Sequence, residues 1–589
     1  MSRYEIRPGV AEQSRIRAYE LGPGDPATRP LRVYAVDPSV ARTEGAVATI
    51  EVPYEPLEPG PVGKLFEVEC MDGDVRLAPV DLEDPRILIQ SGLAPSTGNP
   101  AFHQQMVYAV ASSVYAAFRS ALGRLIAWGY DENSPVESGR LKLRPHVPGE
   151  GGNAAYDKSR REIRFGYVED PRLPGSGRVF ACLSHDVIAH EMTHALIDGL
   201  RSRFTIPTSP DVLGLHEGLA DLVALFQRFL HKDVLISQIR RVGADVEHST
   251  LLTEIAAEFA RASMPKGGLR LAVDSGVGRL TYRPDAEPHE MGNVLVAAVF
   301  DAFVKIFRRK TERYVRLAGP SVAGFLPEEL IQVLARYAAS TARQFLNICI
   351  RAIDYCPPVD VSLGEYLRAL LTADFNLVRE DPWGYRETFI RSFADRGIYP
   401  PGVLAMSEDV LLWRPPTRRL PLIQGLSFSA LRFNGDPSVP ASAEELVRQA
   451  GVLGDFLVSS PEIGEFGLMA QGGMADAPAI QSIRTSRRVG PDGQVLFDLI
   501  AEVTQRRIVV DASSGVRTKF VGGSTIVIGP RGEIRYVISK GIRNEARLGR
   551  QLEYQKANPM WRVEADGQYH LAGSTLEMMH RRRSAEGAA

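Results

Sequence analysis

The chain has 589 residues, 44% of them hydrophobic and 24% charged, enough for roughly three or four packed domains at about 150 residues each. A formal net charge of -2 gives no global attraction to nucleic acid or to an anionic membrane surface. Four cysteines (Cys70, Cys182, Cys349 and Cys356) are too few for a disulfide framework, and no run reaches the roughly 18 apolar residues of a membrane span.

The N-terminal "MSRYEIRPGVAEQSRIRAYELGPG" has no apolar stretch after its basic residues. It is not a secretory signal, so a cytoplasmic location is expected unless a route without a signal peptide exports the chain. Residues 1–84 read as a β-rich segment, with "RPLRVYAVD" and "GAVATIEVPYEPL" as strands broken by Pro and Gly. From Phe102 to Gly129 apolar residues recur every three and four positions, which predicts a helix. "PGEGGNAAYDKSRREIRFGYVED" is a Gly-rich turn leading into strands. Then come "HDVIAHEMTHALIDGL", a loop with two prolines, and "HEGLADLVALFQRFL", both patterned as helices. Several further helices are predicted between 290 and 396, and one of them carries Cys349 and Cys356 as small buried apolar residues. "LLWRPPTRRLP" reads as a linker. Beyond it the pattern is mixed, with hairpins around Asp492-Gly493 and around Gly529 to Gly532, and a frayed end "HRRRSAEGAA". "VGGSTIVIG" is Gly-rich but lacks the Lys and helix start of a phosphate loop.

The chemistry concentrates in "HDVIAHEMTHALIDGL". Positions i and i+4 share a helix face, so His190 and His194 project side by side and can grip one Zn²⁺. Glu191 follows the first histidine and can reach a water without ligating, as a general base for hydrolysis must. The bland alternative is an amphipathic helix with two solvated histidines. The apolar flanks "DVIA" and "ALI" count against it, because they bury the helix on most sides and buried histidines need partners. A catalytic zinc needs a third protein ligand and an open position. Glu217 and Asp221, again i and i+4, supply a candidate ligand and a carboxylate able to hydrogen-bond the far nitrogen of a ligand histidine.

H-E-x-x-H followed by E-x-x-x-D resembles the gluzincin metallopeptidases, and the thermolysin family most closely. "DVIAHEMTHALID" follows that family's helix, including Asp186 and Asp198. "GGNAAYD" resembles its substrate-binding edge strand, which implies that Asn153 and Ala154 bind the peptide backbone. "PDAEPHEMGN" resembles the segment bearing the catalytic histidine, which implies His289 as the group facing the developing oxyanion. The resemblance spans roughly residues 85 to 400. It implies an α+β fold: a two-lobed thermolysin-like metallopeptidase with a β-rich catalytic N-lobe (85–235), a central zinc helix and a helical C-lobe (236–400), plus an α+β accessory domain at 420–589. It further implies one catalytic Zn²⁺ and a protein or peptide substrate, with no nucleic acid and no membrane span.

Several positions depart from the family. The loop before Glu217 is longer, with Phe204 near the place of an oxyanion-binding tyrosine. His216 stands where the family has an Asn. No carboxylate cluster follows Asp221, so Asp186 alone does not imply calcium. The family's substrate-contacting arginine aligns only loosely, with Arg270. The region beyond 420 has no counterpart, and a long inhibitory pro-segment is missing; covering the cleft, recruiting a substrate or binding a regulatory partner are its expected roles. The expected function is a restricted zinc endopeptidase. The alternatives are a gluzincin aminopeptidase, for which no Gly-x-Met-Glu-Asn-type motif is present, and a catalytically weak zinc-bound peptide-binding module.

Overall fold

A 23-residue helix, Pro100–Leu122, runs through the centre of the N-terminal half. Asn99 caps its first turn through the Ala101 amide, a contact worth about 1 kcal/mol, and Pro100 presets the first helical φ. The helix stops at Gly123, whose left-handed φ of 67° closes it. It is therefore shorter than the sequence pattern suggests, and residues 124–129 continue without helix. The computed structural model describes residues 3–38, 47–129, 139–169, 177–243, 280–318, 326–470, 475–489, 493–573, 575–576 and 578–580. Arg270 and Asp492 lie outside these residues.

Around this helix the described residues form a mixed α and β architecture. A four-stranded sheet has the order Phe66–Val68, Leu141–Arg144, Glu162–Phe165, Ala154–Asp157. The first three strands are parallel, and the last is an antiparallel edge strand. Two helices follow, His185–Leu200 and Pro210–Arg228, called here the motif helix and the return helix. The return helix starts with Pro210 at its first position, after an extended Ser209. Its last-turn Arg228 reaches back to Asp186 in the first turn of the motif helix. That pairing engages the carboxylate that by itself did not imply calcium. Helices Pro288–Ala318, Glu328–Ala352, Leu363–Leu377 and Tyr385–Ala394 complete the helical part. Cys349 lies within the second of these and Cys356 just beyond its end; both are buried and free. No described helix is long and apolar enough to cross a membrane.

Strand pairing links segments far apart in sequence. Residues 1–84 contribute to four sheets: Thr28–Tyr34 pairs with Val47–Pro53 and Met71–Asp72 with Val75–Arg76, Phe66–Val68 joins the four-stranded sheet, and Glu5–Ile6 pairs in parallel with Ala479–Ile480. The latter contact builds a five-stranded sheet in the order Glu5–Ile6, Ala479–Val489, Val495–Val510, Arg517–Ile528, Ile534–Lys540. Side chains alternate across it, as the two-residue repeat of a strand demands. Leu499, Ala501, Val503, Ile526 and Ile528 pack under helix Ala443–Ser459. Ile500, Val527, Tyr536 and Ile538 face the other way and merge with the core of the helical part. The C-terminal region is thus a layer of the same body, because its sheet is apolar on both faces.

Buried charges line this seam, and Arg201 crosses it. Arg124 donates two hydrogen bonds to Asp354, at 2.7 and 2.8 Å. Arg201 donates to the Ile353 carbonyl and to Thr525 Oγ1, and pairs with Glu502 at 3.2 Å. Burial raises the Asp354 pKa, but Arg124 overrides it and holds the carboxyl at about 2. A depressed carboxyl stabilises the fold above its unfolded pKa of about 4, and that contribution is lost as pH falls toward 2. Asp354→Asn leaves the buried Arg124 charge uncompensated. It is expected to cost about 3–5 kcal/mol in urea unfolding at pH 7, with a smaller difference from wild type near pH 3.

Candidate metal centre

The motif helix and the return helix lie side by side and face the N-terminus of helix Pro288–Ala318. Close approach of that third helix depends on two glycines. A Cβ on Gly292 would stand 2.9 Å from the Gly218 amide and 3.1 Å from Glu217 Cβ. With hydrogen alone at both positions the backbones meet, and His289 is brought against Glu217.

His190 Nε2 and His194 Nε2 are 3.0 Å apart. Glu217 places Oε2 3.4 Å from His190 Nε2 and Oε1 3.3 Å from His194 Nε2. A tetrahedral site with ligand bonds of about 2.0–2.1 Å has ligand edges of about 3.3 Å. His289 Nε2 lies 3.3 Å from Glu217 Oε2. Glu217 is 1% exposed, yet neither carboxylate oxygen accepts a hydrogen bond, and His289 Nε2 is likewise buried and unpaired. Orphaned acceptors at this density are unfavourable unless a cation joins them.

The outer ring nitrogens explain the orientation. His190 Nδ1 donates to Asp221 at 2.8 Å. His289 Nδ1 donates to Glu287 at 3.1 Å. His194 Nδ1 meets His216 Nδ1 at 2.7 Å. Burial drives the His216 imidazole well below its usual range, so it is neutral and accepts this bond. His216 thereby does the work of the expected Asn. His190 and His194 thereby carry a proton on Nδ1 and turn the Nε2 lone pair inward, the tautomer a metal requires. Burial opposes charge on His190, but Asp221 and Glu217 overcome it and hold the ring well above its usual range. Burial also pushes the Glu217 carboxyl up, but His194 and His190 hold it well below its usual range. The point where the groups converge favours positive charge.

Glu191 is buried in the same cluster: a carboxylate oxygen lies within 4.8 Å of a ring nitrogen of each of His190, His194 and His580. Its Oε2 accepts the Tyr156 amide at 3.0 Å, which ties it to the edge strand. Tyr156 is anchored in turn by its hydroxyl on Asp198 at 2.9 Å. Asn153 and Ala154 stand at the start of the same strand, so the edge runs directly past Glu191. Phe204 is fully buried in the apolar core.

One site residue was not foreseen. His580, in the stretch "MMHRRR" read as a frayed end, is buried in the centre. Its ring centroid is 5.7 Å from that of His190 and 5.4 Å from that of His194. A lone histidine before a basic tail has no spacing signal to mark it. A second cluster of His103, His146 and Cys182 also lies among the described residues. There His103 Nδ1 and His146 Nε2 already hydrogen-bond each other at 2.7 Å, and burial raises the Cys182 thiol, which disfavours the ligating thiolate.

No family model matches the chain, and no curated protein matches it. The site is therefore read from its own geometry.

Two substitutions probe that geometry. Asp221→Asn should weaken metal binding by about 10–100-fold in a chelator-competition titration, because the ring it orients loses its carboxylate partner. Gly292→Val should force the two helices apart at a cost of about 1–3 kcal/mol, read as a lowered melting temperature both with and without added zinc.

Proposed function

We propose that the chain is a zinc-dependent endopeptidase. One observation carries this: His190, His194 and Glu217 converge at tetrahedral spacing while Glu191 is held next to them by the amide of an edge strand. Two imidazoles and one carboxylate suit Zn²⁺. When bound, the ion would polarise a scissile carbonyl and lower the pKa of water.

The chain's own groups supply the remaining steps. An extended peptide adds to the edge strand at Asn153 and Ala154 through main-chain hydrogen bonds, which tolerates many sequences. Glu191 takes the proton from the attacking water and delivers it to the leaving amine. The Tyr156 amide keeps the Glu191 carboxylate aimed during both transfers. His289, fixed by Glu287, faces the position where negative charge develops on the carbonyl oxygen. Motif helix, return helix and edge strand together support a thermolysin-like arrangement of the catalytic part.

A specific observation favours a second reading. Structural zinc sites are closed by four protein ligands, and His580 stands where a fourth would be. On that reading the chain binds zinc and peptides without turnover.

Zinc analysis and peptide cleavage by the full chain separate the two. The endopeptidase reading expects about one zinc per chain in both wild type and Glu191→Gln. Cleavage products, followed by mass spectrometry over a long incubation, should fall by roughly 10²–10⁴-fold in the variant. Equal cleavage by both proteins would remove Glu191 as the base.

A further inference from the structure

His580 does more than fill space. Its Nδ1 donates to the Ala154 carbonyl at 3.2 Å, and its Nε2 stands inward, 3.6 Å from Glu217 Oε1. Its own carbonyl accepts from the Asn153 side-chain amide at 3.3 Å. Nδ1 also stands 3.4 Å from Glu191 Oε1. One residue thus engages the edge strand, the general base and the metal ligands together. Asn153 and Ala154 are the positions assigned to the backbone of a bound peptide.

We propose that the segment ending at His580 is a built-in substrate mimic that keeps the enzyme latent, with His580 Nε2 as a displaceable fourth ligand of the metal. The proposal rests on the peptidase reading and adds its regulation. A catalytic zinc must keep one position open. His580 takes that position, and its ring and carbonyl occupy the Ala154 carbonyl and the Asn153 amide of the edge strand, so segment and substrate exclude each other.

The segment is held, but lightly. Thr575, Leu576 and Met579 are buried against the core. Among the described residues these anchors lie on helical turns, and no sheet ladder includes them. Met579 also lines a cavity of about 1050 Å³ bounded by Tyr282, Pro288, Tyr554 and Met560. Pro288 adjoins His289, so the cavity abuts the metal centre on the side where a peptide would leave it. The segment stands between that space and the metal. Withdrawing it would free the coordination position, the edge strand and the way into the cavity in one movement. The C-terminal layer covers the cleft, as one of the roles expected for it requires, and the covering element reaches the reacting centre itself.

The test uses the full chain loaded with one equivalent of Co²⁺, whose visible spectrum reports its ligands, and acetohydroxamate as a small metal-binding probe. The wild type is compared with His580→Ala and with a chain ending at Gly573. The truncation serves if the point variant does not fold, and melting curves check both. The expected result is a wild-type spectrum that the hydroxamate hardly changes. In either variant the spectrum should shift, with hydroxamate binding at least about tenfold tighter and cleavage of a fluorogenic peptide raised by a similar factor. That factor reflects the fraction of chains in which the site is open. Equal hydroxamate binding by wild type and variants, with cobalt bound one per chain, would overturn the latency proposal and leave the peptidase reading standing. A variant spectrum open to hydroxamate with no cleavage by any protein would support His580 as a ligand and overturn the peptidase reading. Failure of every protein to bind cobalt stoichiometrically would overturn both.

Discussion

The centre of this molecule is organised by one electrostatic demand: a desolvated carboxylate, Glu217, surrounded by imidazole nitrogens whose lone pairs face it. Such groups repel one another in a low-dielectric interior unless positive charge joins them. Much of the surrounding fold can be understood as holding them there. The Asp221, His216 and Glu287 contacts fix the outer nitrogens, which settles the tautomers. The Gly218–Gly292 approach brings the third helix within reach. Removing the stabilising partner of any one ring would let it turn and take its lone pair away from the centre.

The same economy appears around Glu191. A general base is useful when its carboxylate is desolvated enough to want a proton but fixed well enough to meet the water. Both conditions come from the edge strand, which buries Glu191 and binds it through Tyr156 N. On the peptidase reading, substrate recognition and base positioning are built on one strand, four residues long. A peptide that added to this strand would stiffen the element that aims the base.

The C-terminal layer is bound to the rest by more than contact area. Its sheet has no polar outer face to leave in water toward the helical part, and the seam is crossed by Arg201 with Glu502 and by Ser486 with the Asp354 that Arg124 holds. Buried ion pairs contribute little net stability, but breaking one is costly, so they favour a single register of the two layers. That fixed register carries the chain's last described residues to the metal centre.

Spacing within the sequence was sufficient for everything that depends on local periodicity. The i, i+4 pairs His190/His194 and Glu217/Asp221 must share helix faces, so the first imidazole pair and the carboxylate with its neighbour were legible. So were the alternating strands, the two C-terminal hairpins and most helix bodies. Helix ends were less legible, as at Gly123, where a left-handed residue stops a pattern whose apolar period continues. The division of the chain was not legible, because pairing between Glu5–Ile6 and Ala479–Ile480 leaves no trace in either segment. Nor was His580, separated by more than three hundred and fifty residues from the glutamate it faces. Local sequence fixes which side chains share a face. Which faces meet is decided by long-range packing, here by two glycines, a two-sided sheet and a buried carboxylate that draws every available imidazole toward it.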